Sequence, residues 1–129
     1  MKFLSKKEII EADDHKREVV SVPEWGGHVY VKTLTGIERD AFESSLVGRP
    51  GNETGLVNIR AKLCAKAMID ERGKPLFTHL DVRELGKKSA NALDRVFQVA
   101  QRLNGLVGSE IEELVKNSET DHSDASTSS

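Results

Sequence analysis

The sequence predicts an α+β fold: a small N-terminal β-hairpin packed against a bundle of three to five helices, followed by a disordered C-terminal tail. Three observations carry this. Apolar residues alternate with period two around Val20–Val22 and Val29–Val31. At Thr35 the period switches to about 3.6, the helical value. After Lys116 the composition collapses to Ser, Thr, Asp, Asn, Glu, His and a single Ala. At 129 residues the chain is one domain by length, with a folded body over 1–116 and an acidic Ser/Thr-rich tail over 117–129 that has nothing to contribute to a core.

Ser5-Lys6-Lys7-Glu8 spells a capping box and predicts a short helix over about 6–12. A hairpin follows, with strands near 17–22 and 28–34. Pro23 ends the first strand because it has no N–H for a ladder, and Gly26-Gly27 supply turn residues. The loop from Pro23 to Gly27 exceeds a two-residue turn, so an exposed tip is expected. Thr35-Gly36-Ile37-Glu38 is a second capping box, opening a helix over about 36–46 with Ile37, Ala41, Phe42 and Leu46 on one stripe. Four helix breakers between Gly48 and Gly55 make a loop.

A longer helix is expected over 56–68, with Leu56, Ile59, Leu63 and Ala67 at helical spacing and Cys64 and Met68 beside them. Asp70–Pro75 is a tight turn, and Met68-Ile69 with Leu76-Phe77 around it form a candidate minimal hairpin. Thr78–Asp81 cap a short helix ending near Gly86. Ser89 caps the last long helix, 90–104, whose stripe is Leu93, Val96, Phe97, Ala100 and Leu103, with Gly105 at the position that follows a helix end. Ser109-Glu110 start a final short helix carrying Ile111, Leu114 and Val115. The expected core includes Val20, Val29, Val31, Ile37, Phe42, Leu63, Leu93, Val96 and Phe97.

Charge and composition exclude several classes. Charged residues are 31 % of the chain and the formal net charge is −2. Three of the 21 acidic residues, Glu119, Asp121 and Asp124, lie in the tail, leaving 18 against 19 basic residues in the body. A near-neutral body argues against nucleic-acid binding by electrostatics. A single Cys excludes an internal disulfide, and its place on an apolar stripe predicts a reduced, buried thiol. The opening residues lack the apolar run of a signal peptide, and no apolar run approaches membrane-spanning length. A cytoplasmic protein is expected.

The residue set offers no catalytic, cofactor-binding or metal-binding grouping. His15, His28, His79 and His122 lie in four segments, whereas zinc sites draw ligands from close sequence pairs. Cys64 has no cation at a helix start to lower its pKa. Gly48–Gly55 lacks the Gly-Lys-Ser/Thr ending of a phosphate loop. The acidic pairs Asp13-Asp14 and Glu112-Glu113 diverge on a helix and cannot share a proton. Trp25, the only Trp, has two readings: folded back on the core, or an exposed anchor of the kind enriched at binding hot spots. Trp25 and Tyr30 are the candidate protein-binding residues.

Three blocks then carry a family resemblance: Val22-Pro-Glu-Trp-Gly-Gly-His-Val-Tyr-Val31, Leu34-Thr-Gly-Ile-Glu-Arg-Asp-Ala-Phe-Glu43, and Leu85 to Leu106 with its Lys87-Lys88-Ser89 start. Together, over about residues 3–116, the chain resembles the tail assembly chaperones of long-tailed, non-contractile (siphovirus-type) bacteriophages and prophages. The resemblance implies a non-enzymatic protein of the host bacterial cytoplasm, absent from the mature virion. Its implied partners are the tape measure protein, which it keeps soluble, the major tail tube protein, whose polymerisation it promotes, and further copies of itself. Nucleic acid and membrane are not implied. Many members are also made as a longer form by ribosomal frameshifting, and Val115-Lys116-Asn117 is compatible with a slippery A-AAA-AAC string. Two rival classes remain: a structural tail or connector component, and a small DNA-binding regulatory module. For the latter, the 58–74 stretch reaches +3 without a helix-turn-helix partner.

Overall fold

The computed structural model describes residues 1–47 and 58–106. The glycine-rich loop, Leu56 of the expected third helix, the expected final short helix with Ile111, Leu114 and Val115, and the 117–129 tail lie outside the described residues; the third helix itself begins at Ile59, later than expected, because Asn58 is left-handed at φ 59°.

The hairpin forms as the alternation predicts. Strands β1 (Arg17–Val22) and β2 (Gly27–Lys32) pair antiparallel, from Arg17 opposite Lys32 to Val22 opposite Gly27. The tip is a single 3₁₀ turn, Pro23–Trp25, closed by Gly26 at φ 76°, a left-handed conformation that an L side chain rarely adopts. A third strand, β3 (Met68–Ile69), adds to the other side of β2, with Tyr30 opposite Ile69 and Val31 opposite Met68. The sheet order is β1-β2-β3.

The expected hairpin of Met68-Ile69 with Leu76-Phe77 is reduced to one bridge between Ile69 and Pro75 and one bond from Leu76 N–H to the Met68 carbonyl. The stronger partner of Met68-Ile69 is the open side of β2, distant in sequence. Two residues are too few to announce that pairing by periodicity. The intervening turn is held by Asp70, whose Oδ1 accepts from the N–H groups of Arg72 (2.8 Å) and Lys74 (3.0 Å).

Five helices complete the described fold: α1 (Lys6–Glu11), α2 (Gly36–Ser45), α3 (Ile59–Ala67), α4 (Val82–Leu85, preceded by a 3₁₀ turn at His79–Asp81) and α5 (Ala90–Leu103). The capping boxes at Ser5, Thr35 and Thr78 are all formed, and Ser89 Oγ caps α5 through the Ala92 N–H. At the far end of α5 the Leu106 N–H bonds the Gln101 carbonyl and the Gly105 N–H bonds that of Arg102. With Gly105 at φ 63°, these are the paired bonds of a Schellman motif, and Leu106 is tucked into the core behind it.

Helix α3 is the hub. Ala61, Leu63, Cys64, Ala65 and Ala67 are all buried, so the helix is covered on several sides instead of along one stripe. It packs against α2, α4 and α5, while α5 also lies across β1 and β2. The core joins Val20, Val22 and Val31 of the sheet to Phe42, Leu46, Leu63, Met68, Leu93 and Val96. Ion pairs pin the hairpin to α5: Glu18 takes two bonds from Arg102 (3.0 and 2.6 Å) and Glu24 two from Arg95 (2.8 and 3.0 Å).

Three expected core residues need correction. Val29 and Phe97 are half-buried against the core edge. Ile37 is outside it altogether, 84 % exposed. The helix turns its Phe42–Leu46 ridge inward. Ile37 is five residues before Phe42, hence rotated by about 140° at 100° per residue. It shares a ridge with Ala41, which is exposed as well.

Candidate protein-binding site

No group of three or more His, Cys, Asp or Glu among the described residues could hold a metal ion. Burial pushes the Cys64 thiol up to about 12, and its Sγ lies 3.5 Å from the Leu93 carbonyl. A thiol so protonated is a poor nucleophile. No helix among the described residues is long and apolar enough to cross a membrane.

Apolar surface is what the fold does present. Tyr30 and Trp25 are placed apart. Tyr30 is half-buried on the outer face of the sheet, under the Arg17 guanidinium at 4.5 Å from the ring centroid. There it lines a shallow groove of about 320 Å³ with Val19, Val29, Ile69 and Leu76. Trp25 does not line that groove. It is half-buried against the core at the hairpin tip, where the Glu24–Arg95 pair fixes the turn.

A larger groove, about 620 Å³, opens between α2, α3 and the 75–82 segment. Its walls are Ala41 and Ser45 from α2, Ala65 from α3, and Phe77 and Val82 from the third segment. Ala41, Ser45 and Ala65 supply small side chains to the facing sides of α2 and α3, beside the longer Glu38, Lys62 and Lys66, while Phe42, Leu46 and Leu63 turn inward. Its third wall is set by the Asp70 turn and by Asp81, whose Oδ2 accepts from the Thr78 N–H at 2.8 Å. The lining carboxylate, Glu38, is neutralised in place. Burial alone would raise its pKa, but the Lys32 ammonium, 2.8 Å from both oxygens, holds it below the usual range. Sequence reading missed this site because its three walls are remote in the chain and none carries a local signature. The usable signal was Ile37, an apolar residue one turn before Ala41.

At the N-terminus, all residues of α1 are exposed, among them Ile9 and Ile10, and Phe3 and Leu4 before it are exposed too. The arm therefore adds a further apolar surface.

A small antiparallel sheet backed by helices has a match among solved proteins. The chain has a tail assembly chaperone-like fold. It is similar to the structure of the bacteriophage HK97 tail assembly chaperone, with a TM-score of 0.56 at 18 % identity, over 75 % of this chain and 94 % of that one. No protein-family model matches the chain, and no curated protein sequence matches it either.

Proposed function

We propose that this protein is a tail assembly chaperone that binds the tape measure protein of a siphovirus-type phage, keeps it soluble and promotes polymerisation of the tail tube protein around it. The observation that carries this reading is the HK97 chaperone-like fold, joined to apolar surface left open on an otherwise charged molecule. A chaperone for a long apolar helical protein needs a surface that covers an apolar stripe and releases it, with no bond made or broken. The protein acts in the host cytoplasm, is not an enzyme, associates with itself through exposed apolar residues such as those of the N-terminal arm, and does not remain in the finished virion.

The test is co-expression with the tape measure protein of the same phage. Transfer of that partner from the insoluble to the soluble fraction, with the chaperone absent from purified virions, is the expected result. A partner that stays insoluble, or the chain recovered as a virion component, overturns the assignment in favour of a structural tail protein. The longer frameshifted form is decided by the gene: the absence of any slippery string between the codons for Ile111 and Ser129 removes it.

A further inference from the structure

We propose that the outer face of the sheet receives the α1 arm of a second copy of this chain, with Ile9 and Ile10 laid across the row Val19–Tyr30–Ile69 and with Lys6 and Lys7 facing Asp70 and Glu71. This names the two surfaces of the self-association in the proposed function and rests on that reading.

The arm needs a partner. Helix α1 has six residues, and a helix so short is marginal in water without packing. It buries nothing in its own chain: Ile9 is 57 % exposed, Ile10 75 % and Phe3 before them 84 %. At about 100° per residue, Lys6, Lys7, Ile9 and Ile10 share one side of α1. Glu8 lies opposite, tied to Lys2 and to the Ser5 cap. One side of the arm is therefore apolar with a basic border.

The outer face of the sheet is its complement in shape. Val19 stands opposite Tyr30 and Tyr30 opposite Ile69, so the three make one straight row over all three strands, with Leu76 in the same groove. Tyr30, at the centre, is a residue type enriched at binding hot spots. Three strands are about 10 Å across, and six helical residues are about 9 Å long, so the arm spans the row once. The arm does not lie on its own sheet: Val19 and Leu76 stay 57 % and 46 % exposed in the molecule that carries it. Lys16, bonded both ways to Thr33, fixes the point where the arm leaves the sheet.

Charge favours this face over the larger groove. Asp70 and Glu71 line it, and among the described residues neither forms an ion pair; Lys6 and Lys7 form none either. Arg17 is the cation against this face, over the Tyr30 ring and bonded to the Glu71 carbonyl, so two carboxylates stand beside one guanidinium. The larger groove has Lys66 on its wall, and its carboxylate, Glu38, is already matched by Lys32. That is the wrong sign for a lysine-bordered arm.

The experiment uses the full chain. Ile9→Ser combined with Ile10→Ser disables the arm, Val19→Glu disables the face, and each variant is first checked for native circular dichroism. In sedimentation equilibrium, either change should weaken self-association at least about tenfold. A mixture of the two variants should form heterodimers although neither associates alone, because one supplies an intact face and the other an intact arm. Lys7→Glu and Glu71→Lys should each weaken association, and a chain carrying both should recover it. Carbodiimide cross-linking of mixed light and isotopically heavy chains should join Lys6 or Lys7 to Asp70 or Glu71 in mixed pairs.

A monomeric wild type, an arm variant that associates as wild type does, or a charge-swapped chain no better than its single variants overturns the proposal. A variant mixture that stays monomeric overturns it by assigning arm to arm or face to face. Cross-links found only within single chains assign the arm to its own sheet. Loss of tape measure capture in the arm variant, with self-association unchanged, assigns the arm to that partner; both of these results overturn the proposal as well. Association is read on the chain alone, so the arm contact can fail while tape measure capture stands, and capture can fail while the arm contact stands.

Discussion

Asn104, one residue past α5, joins the end of that helix to the chain leaving β2: its Oδ1 accepts the Leu34 N–H at 2.6 Å. Its Nδ2 donates to the Ala100 carbonyl at 2.9 Å and reaches the Lys32 carbonyl at 3.4 Å. Arg39 completes the junction, bonding the Asn104 carbonyl at 2.9 Å. One side chain thus ties the end of β2, the chain leading into α2 and the last turn of α5 together.

Asn104→Ala should therefore cost about 1–3 kcal/mol, because it strands a half-buried Leu34 N–H as well as removing bonds. Urea unfolding is the measurement. A loss under about 0.5 kcal/mol, the range of ordinary surface changes, would show that the junction is not structural.

Two apolar residues of α2 should behave in opposite ways. Phe42 is fully buried, so Phe42→Ala should cost about 3–5 kcal/mol. Ile37→Ser should change stability by no more than about 0.5 kcal/mol. Phe97→Ala belongs between them, since that ring is half-buried. A large thermal shift in Ile37→Ser would place Ile37 back among structural residues.

Cys64 should resist alkylation in the native state and react only on unfolding. Its folded pKa, about 12, lies above its ordinary value of 9.0. The folded state therefore holds a proton that the unfolded state releases between those values, and stability should fall as pH rises from about 9 toward 12. Cys64→Ala should flatten that part of the pH profile. Rapid native labelling, or no change in slope, would contradict the buried placement.

Arg102 holds the Glu18 carboxyl below the usual range through a direct hydrogen bond. A lowered carboxylate pKa contributes stability above its unfolded value and loses it as pH falls through the folded one. The pair is solvent-exposed, so the stability effect is small, and the sharper readout is an NMR titration. Arg102→Met should move the Glu18 pKa up toward the ordinary value. No movement would mean that the ion pair is not populated in solution.

Much of this architecture was legible because it is signalled locally. Ser5, Thr35, Thr78 and Ser89 each announce a helix start within four residues, and Gly105 announces an end. The Val20–Val22 and Val29–Val31 alternations mark the strand faces. The pairing of Met68-Ile69 with Tyr30-Val31 was not legible, because nothing in two residues specifies a partner almost 40 positions away. Ile37 misled for a related reason: an apolar residue on a helix is read as core, although here the helix has two apolar ridges and buries one. The groove was invisible because three distant segments form it, and its most telling property is the smallness of Ala41 and Ala65.

The ion pairs between the hairpin and α5 span 71 and 84 residues of chain. During synthesis the hairpin leaves the ribosome long before the helix that covers its inner face has been made. Val20, Val22 and Val31 stay without their α5 cover until residues up to about Leu103 have emerged. High sequence separation of this kind slows folding and leaves a sheet edge open meanwhile. The charged partners Glu18 and Glu24, placed on and beside β1, discourage edge-to-edge association during that interval. The nascent chain thus depends on late arrival of its own C-terminal helix, and truncations before Leu103 should yield an aggregating product, not a smaller folded one.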